Sequence, residues 1–66
     1  MITWHFTGDE GWQAVTRDEN GFNLPKQYSP WSKLRIIEIY EGKEGDREAY
    51  EAVQAQGYYL FRGKNA

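Results

Sequence analysis

Eleven aromatic side chains among 66 residues, with no cysteine, limit how this chain can build a core. A chain this short buries only about 60% of the surface that its unfolded form exposes, so we expect a single domain spanning residues 1–66. Without cysteine it has no disulfides and no thiolate metal sites. Each buried ring removes roughly 150–250 Å² from water, so rings can supply the missing stability. The rings expected to pack into one hydrophobic cluster are Trp4, Phe6, Trp12, Phe22, Trp31, Tyr40 and Phe61.

The composition also bears on the cellular compartment. The absence of cysteine fits a reducing interior. The first residues lack the charged and apolar regions of a signal peptide, and no stretch approaches the roughly 20 apolar residues of a membrane span. The sequence therefore predicts a soluble protein of the cytoplasm with no membrane segment.

Period-two alternation dominates the first third of the chain. Residues 2–7 place three apolar side chains on one face and three polar ones on the other, which is typical of a half-buried strand. Gly8 to Gly11 forms a connection suited to a hairpin, and Trp12 to Arg17 alternates again as a second strand. The turn at residues 18–21 ends in Asn-Gly, after which a short extended segment, Phe22 to Leu24, is a candidate to pair with the second strand.

Residues 23–32 contain both prolines of the chain and are predicted to form an ordered loop. Proline lacks an amide donor and holds the residue before it out of a helix, so neither helix nor central strand suits this segment. A ten-residue connection is long for so small a domain, and such loops are commonly functional or packed down by their own side chains. We expect it to cover part of the core, with Leu24, Tyr28 and Trp31 as anchors.

The second half of the chain predicts a strand, a helix and a final strand. Lys33 to Tyr40 is strand-like, although its apolar side chains switch from one face of the strand to the other between Ile36 and Ile37. This switch predicts either a bulge there or partial cover on both faces. A helix is expected from an N-cap at Asp46 to about Gln56, with Gly57 as its left-handed end. Its apolar stripe is formed by Ala49, Tyr50 and Val53. Residues 58–62 are rich in strand formers.

These elements predict an α+β fold with the order ββ-loop-βαβ. The sheet is antiparallel, has about four strands and carries one helix packed on one face. An exposed edge strand such as Tyr58 to Arg62 is a candidate for pairing between two copies of the chain.

The titratable residues do not form a pattern typical of a catalytic, metal or phosphate site. His5 is the only histidine, and by alternation it lies opposite Trp4 and Phe6, where we expect a surface residue. The acidic pairs occupy predicted turns, and the glycines match neither a phosphate-binding loop nor a dinucleotide fingerprint. The sequence therefore predicts a protein that is not an enzyme and that has no cofactor and no metal.

Positive charge is concentrated in the proline loop and the strand that follows it. Residues 23–37 carry a net charge of +3, whereas residues 38–51 carry −4. The predicted binding residues are Lys26, Tyr28, Pro30, Trp31, Lys33 and Arg35. Tyrosine, tryptophan and arginine dominate protein-binding hot spots, so the leading hypothesis is a non-enzymatic protein-binding module or inhibitor. The alternative is a weak binder of single-stranded nucleic acid through residues 23–35, although three cations are few for that task. The competing structural interpretation is that Tyr28 and Trp31 pack beneath the loop as part of its cover of the core.

Several short motifs carry a family resemblance. Thr16 to Gly21, Asn23-Leu24-Pro25, Ser29-Pro30-Trp31, Glu41-Gly42 and Gly57-Tyr58-Tyr59-Leu60 resemble the motifs of a group of short bacterial proteins whose function is not known. The similarity spans nearly the whole chain. It implies a stand-alone bacterial or mobile-element protein, and it transfers no catalytic residues.

Overall fold

A computed structural model describes residues 1–62 and confirms the α+β prediction. This part of the chain contains four strands and one α-helix: β1 (Ile2–Thr7), β2 (Trp12–Thr16), β3 (Ser32–Glu38), α1 (Arg47–Gln56) and β4 (Tyr58–Arg62). The strands form one sheet in the order β3-β1-β2-β4, with every neighbouring pair antiparallel. The outer strands of this sheet are therefore β3 and β4.

The helix begins and ends where the sequence indicates. Asp46 precedes its first turn, but the Asp46 carboxylate does not cap the helix and instead accepts a hydrogen bond from the Tyr40 amide at 3.1 Å. Gly57 ends the helix with φ of 95°, a left-handed conformation that glycine adopts without a Cβ clash. One residue therefore separates α1 from β4, and this short link keeps the helix close to that strand.

The sheet has two covered faces, each with its own hydrophobic cluster. On the helix face, Val15 and Ile39 are buried in a cluster with Val53 of α1. On the opposite face, which we call the loop face, Phe6 and Ala14 are buried in a cluster with Leu24 of the segment that joins β2 to β3. The expectation of one cluster was wrong, because a sheet with apolar side chains on both sides separates them into two layers.

Three of the expected core rings, Trp12, Phe22 and Tyr40, lie outside these clusters. Trp12 is half-buried. Phe22 is 82% exposed and Tyr40 is also exposed. The segment from Phe22 to Leu24 is not a strand. It cannot pair with β2, because β2 is hydrogen-bonded to β1 along one edge and to β4 along the other.

The irregularity predicted in β3 lies earlier in the strand than expected. The register with β1 shifts between His5 and Phe6, whose partners are Arg35 and Lys33, so that Leu34 is the extra residue. Ile36 pairs with Trp4 and Ile37 pairs with Thr3, which places the two isoleucines on opposite faces. The switch of apolar side chains between Ile36 and Ile37 therefore reflects a strand with apolar residues on both faces and not a bulge at that point.

Candidate functional site

The aromatic side chains of the proline loop pack against the sheet. Trp31 donates a hydrogen bond from Nε1 to the Pro25 carbonyl at 2.8 Å, and its ring lies directly over Gly8. The Tyr28 ring stacks on Trp12 with centroids 4.4 Å apart. Both Tyr28 and Trp31 are half-buried. These contacts hold the two rings over the hairpin that joins β1 to β2, so they cover the core on the loop face and expose only part of their surface.

A buried polar network fixes the start of this loop. The Thr16 hydroxyl is fully buried and lies 2.8 Å from Asn23 Oδ1 and 3.1 Å from the Gly57 carbonyl. It also accepts a hydrogen bond from the Asp18 amide. The network ties the loop to the end of α1, and its members are far apart in the sequence, so no local motif predicts it.

The three cations of the predicted site do not share one surface. Lys26 is exposed in a short 3₁₀ turn of the loop. Lys33 pairs with Phe6 and so belongs to the loop face, where its Nζ lies 3.8 Å from a Glu19 carboxylate oxygen. Arg35 pairs with His5 and belongs to the helix face. The bulge at Leu34 therefore places Lys33 and Arg35 on opposite sides of the sheet, whereas Lys26, Tyr28, Pro30 and Trp31 remain together in the loop.

An apolar surface that the sequence analysis did not single out lies on β3 and the adjoining part of β1. We call it the β3 patch, and it comprises Ile2, Leu34 and Ile36, which are 51%, 56% and 61% exposed. The half-buried Trp4 ring is the cross-strand neighbour of Ile36 and connects the patch to the loop-face cluster. The apolar residues between Lys33 and Tyr40 pointed to this strand, but they do not reveal that Leu34 and Ile36 are uncovered.

The backbone of β3 is open along the same edge. Met1 and Ile39 exchange two hydrogen bonds of 2.9 Å, one in each direction. Hydrogen-bonded and non-hydrogen-bonded pairs alternate along an antiparallel ladder, so the amide and carbonyl groups of Ile36 and Glu38 point away from β1. Within residues 1–62 no strand pairs with that side of β3. Unpaired backbone groups and exposed aliphatic side chains therefore occur together.

The prediction that His5 is a surface residue was wrong. His5 is only 8% exposed, its Nε2 lies 2.8 Å from Gln13 Oε1, and its ring lies 5.8 Å from the Phe61 ring. Alternation correctly placed His5 on the face opposite Trp4 and Phe6. That face is the helix face, however, and His5 is buried there just as Phe6 is buried on the loop face. Among residues 1–62 no three histidine, aspartate or glutamate side chains are grouped so as to hold a metal ion.

Two tyrosines near the acidic end of the domain have perturbed hydroxyl groups. A hydrogen bond to Glu38, together with the negative charge of that residue, raises the pKa of Tyr40. The Tyr59 hydroxyl donates to Glu48 Oε1 at 2.7 Å, and this bond is the main reason that the pKa of Tyr59 is raised. Both hydroxyls therefore favour their neutral, donating form.

The α-helix in this part of the chain is too short and too polar to cross a lipid bilayer. No protein-family model matches the chain, and no curated protein or solved structure is significantly similar to it. The chemistry of its own surface is therefore the evidence for its function.

Proposed function

We propose that this chain is a non-enzymatic protein-binding module whose partner adds an extended segment to the open edge of β3. The observation that supports this proposal is that the backbone groups of Ile36 and Glu38, which have no partner strand within residues 1–62, coincide with the exposed side chains of the β3 patch. In strand addition, main-chain hydrogen bonds supply affinity and alternate side chains supply specificity. Both requirements are met on this one edge.

The energetics favour a partner with aliphatic side chains. Fully burying a leucine or isoleucine stabilises a complex by roughly 1.5–3 kcal/mol, so Leu34 and Ile36, each more than half exposed, can contribute about 1–2 kcal/mol apiece. Each added backbone hydrogen bond contributes a further ~0.5–1.5 kcal/mol. These terms must exceed the cost of ordering the partner segment, which is consistent with a reversible interaction.

The cations in the first half of β3 favour acidic residues in the segment that lies against them, whereas the strand ends in the acid Glu38. Lys33 and Arg35 flank Leu34 on the two faces of the strand, and charged side chains on an edge strand discourage indiscriminate pairing. Lys33 already has Glu19 as an ion-pair partner, so Arg35 is the cation that an acidic residue of the partner would meet. A segment with an acidic residue opposite Arg35 and an aliphatic residue opposite Ile36, on the other face, complements both features. Lys33 and Arg35 are common to this strand and to the site predicted from the sequence. The proline loop, with Lys26, Tyr28, Pro30 and Trp31, leads directly into β3 and forms the adjoining rim.

Selection of a random peptide library against the intact chain tests the proposal. We expect enriched peptides to alternate aliphatic with acidic residues. In nuclear magnetic resonance spectra of the chain, these peptides should perturb the amide signals of β3 most strongly. Ile36→Glu places a charge in the patch and should weaken binding at least tenfold. Ala55→Glu, at an exposed position of α1, is the matched control and should leave the affinity unchanged.

Three outcomes contradict the proposal. Enriched peptides that bind Ile36→Glu as tightly as the parent chain exclude the patch as the contact. Sedimentation that shows a stable dimer disrupted by Ile36→Glu assigns the edge to a second copy of the chain. Salt-dependent binding of single-stranded oligonucleotides, measured by fluorescence anisotropy, favours nucleic acid instead, because phosphate contacts weaken steeply with salt.

A further inference from the structure

The helix face contains an open groove that the proposed function does not use. Its volume is about 300 Å³, within the range of small-ligand sites. It arises because α1 packs mainly over β4 and β2 and has few contacts with β3, whose Ile37 lines the groove. The lining residues are Val15, Ile37, Ile39, Gly45, Asp46, Ala49, Tyr59 and Phe61.

The body of the groove is apolar and partly aromatic. Tyr59 and Phe61 stack with ring centroids 5.7 Å apart and form one wall. The hydrogen bond from the Tyr59 hydroxyl to Glu48 fixes the position of the first ring. The buried Thr3 side chain is already satisfied by the Ile37 carbonyl and offers no free donor. The groove therefore suits a hydrocarbon or aromatic group.

The charge at the rim is negative. Asp46 lines the groove, and the hydrogen bond from the Tyr40 amide fixes one of its carboxylate oxygens. Glu48 does not line the groove, but its carboxylate accepts a hydrogen bond from Tyr59, which does. Arg35 lies on the same face beside His5, and Arg47 follows Asp46, but neither lines the groove. A cationic group therefore complements this rim better than an anionic one.

We propose that the groove binds a small apolar ammonium compound of the arylalkylamine class. The apolar body lies against Ile37, Ala49 and the Tyr59 ring, and the ammonium group lies between the carboxylates of Asp46 and Glu48. Ammonium groups are attracted both by carboxylates and by the faces of aromatic rings. This site is on the face opposite the β3 patch and does not depend on the proposed docking function.

A matched series of three compounds tests the assignment. 2-Phenylethylamine, 2-phenylethanol and 3-phenylpropionate have similar apolar bodies but carry a positive, a zero and a negative charge. We expect amide-signal perturbations at Ile37, Ala49 and Tyr59, with the amine binding about three- to tenfold more tightly than the alcohol and the carboxylate binding most weakly. The difference between amine and alcohol should shrink as salt is added.

Variants separate the apolar and electrostatic contributions. Ala49→Leu should fill the groove and abolish binding of the amine, whereas Ala55→Leu, an exposed position of the same helix, should not. Asp46→Asn should reduce the preference for the amine over the alcohol, and Ile36→Glu should leave amine binding unchanged. Equal affinity for all three compounds, or perturbations confined to the loop face, overturns the proposal. So does the absence of any perturbation in the parent chain, a result that does not depend on whether the variants fold.

Discussion

Replacing Gly8 with alanine tests whether the proline loop packs on the sheet. Gly8 has an extended backbone, with φ of −118° and ψ of −162°, which alanine adopts without strain. The new methyl group, however, would lie 2.7 Å from a carbon of the Trp31 ring and 2.7 Å from the Tyr28 carbonyl oxygen. Carbon atoms in contact normally lie about 3.5–4.0 Å apart, so one of these groups must move.

The contacts of the loop make that movement costly. The Trp31 ring is held by its hydrogen bond to Pro25, and Tyr28 is held by stacking on Trp12. Overpacking a well-packed site costs about 1–3 kcal/mol, and the fixed positions of both neighbours favour the upper part of that range. A chain of this size has a total stability of roughly 3–10 kcal/mol. Because 1 kcal/mol shifts the melting temperature of such a domain by about 4–8 °C, we expect a decrease of roughly 10–20 °C.

Thermal and urea denaturation measure this effect, and Gly42→Ala is the matched control. A methyl group at Gly42 meets no atom within 4 Å, so its effect should be within about 0.5 kcal/mol. Removing the ring in Gly8→Ala/Trp31→Leu relieves one of the two clashes, so a double-mutant cycle should show a coupling energy of about 1 kcal/mol or more. If Gly8→Ala is as stable as Gly42→Ala, the Trp31 ring does not lie over Gly8, and the description of the loop as cover for the core fails.

Two further predictions concern the polar contacts. Thr16→Val keeps the shape of the side chain but removes the hydroxyl that joins Asn23 to Gly57, so urea titrations should show a free energy of unfolding lower by about 1–3 kcal/mol. Thr16→Ser retains the hydroxyl and should lose less stability. Equal losses in the two variants would refute the role of the network. The pKa of Tyr59 is higher in the folded chain than its value of about 10 in the unfolded chain. Its hydrogen bond therefore stabilises the fold fully at pH values below the unfolded pKa, and this stabilisation is lost as the pH rises through the folded pKa. In Tyr59→Phe, the free energy of unfolding should therefore fall less steeply as the pH becomes alkaline, and the remaining pH dependence comes from Tyr40. If the pH dependence of the denaturation curves is unchanged in this variant, the linkage is ruled out.

Local sequence patterns were sufficient to predict the elements and their order. Alternation in residues 2–7 and 12–17 reflects the two-residue period of a strand, and Gly57 ends the helix because left-handed backbone is accessible to it. The apolar stripe of Ala49, Tyr50 and Val53 packs on the sheet as its spacing indicates. Each of these predictions depends on residues that are close together in the chain, and the structure confirms each of them.

The degree of burial was harder to predict because it depends on distant residues. Phe6 and Phe22 have the same side chain, yet Phe6 is buried and Phe22 is exposed. The difference follows from the neighbours of Phe22. Gly21 lies against the Phe6 ring, and Asn23 bonds to Thr16 and Gly57, so both neighbours are fixed and the intervening ring is left outside the core. The same reasoning applies to His5, which packs beside the Phe61 ring of β4, near the other end of the chain.

The size of the covering elements explains why β3 is left open. A helix is about 10 Å wide and strands lie about 4.8 Å apart, so one helix covers roughly two strands, and the short link at Gly57 assigns α1 to β4 and β2. On the opposite face the connection from β2 to β3 passes over Phe6 of β1 and packs its rings near the β1–β2 hairpin. Neither element covers Ile36. Threonine at that position would keep the β-branched shape and the strand preference, so folding alone does not require isoleucine there, whereas docking of an aliphatic partner does.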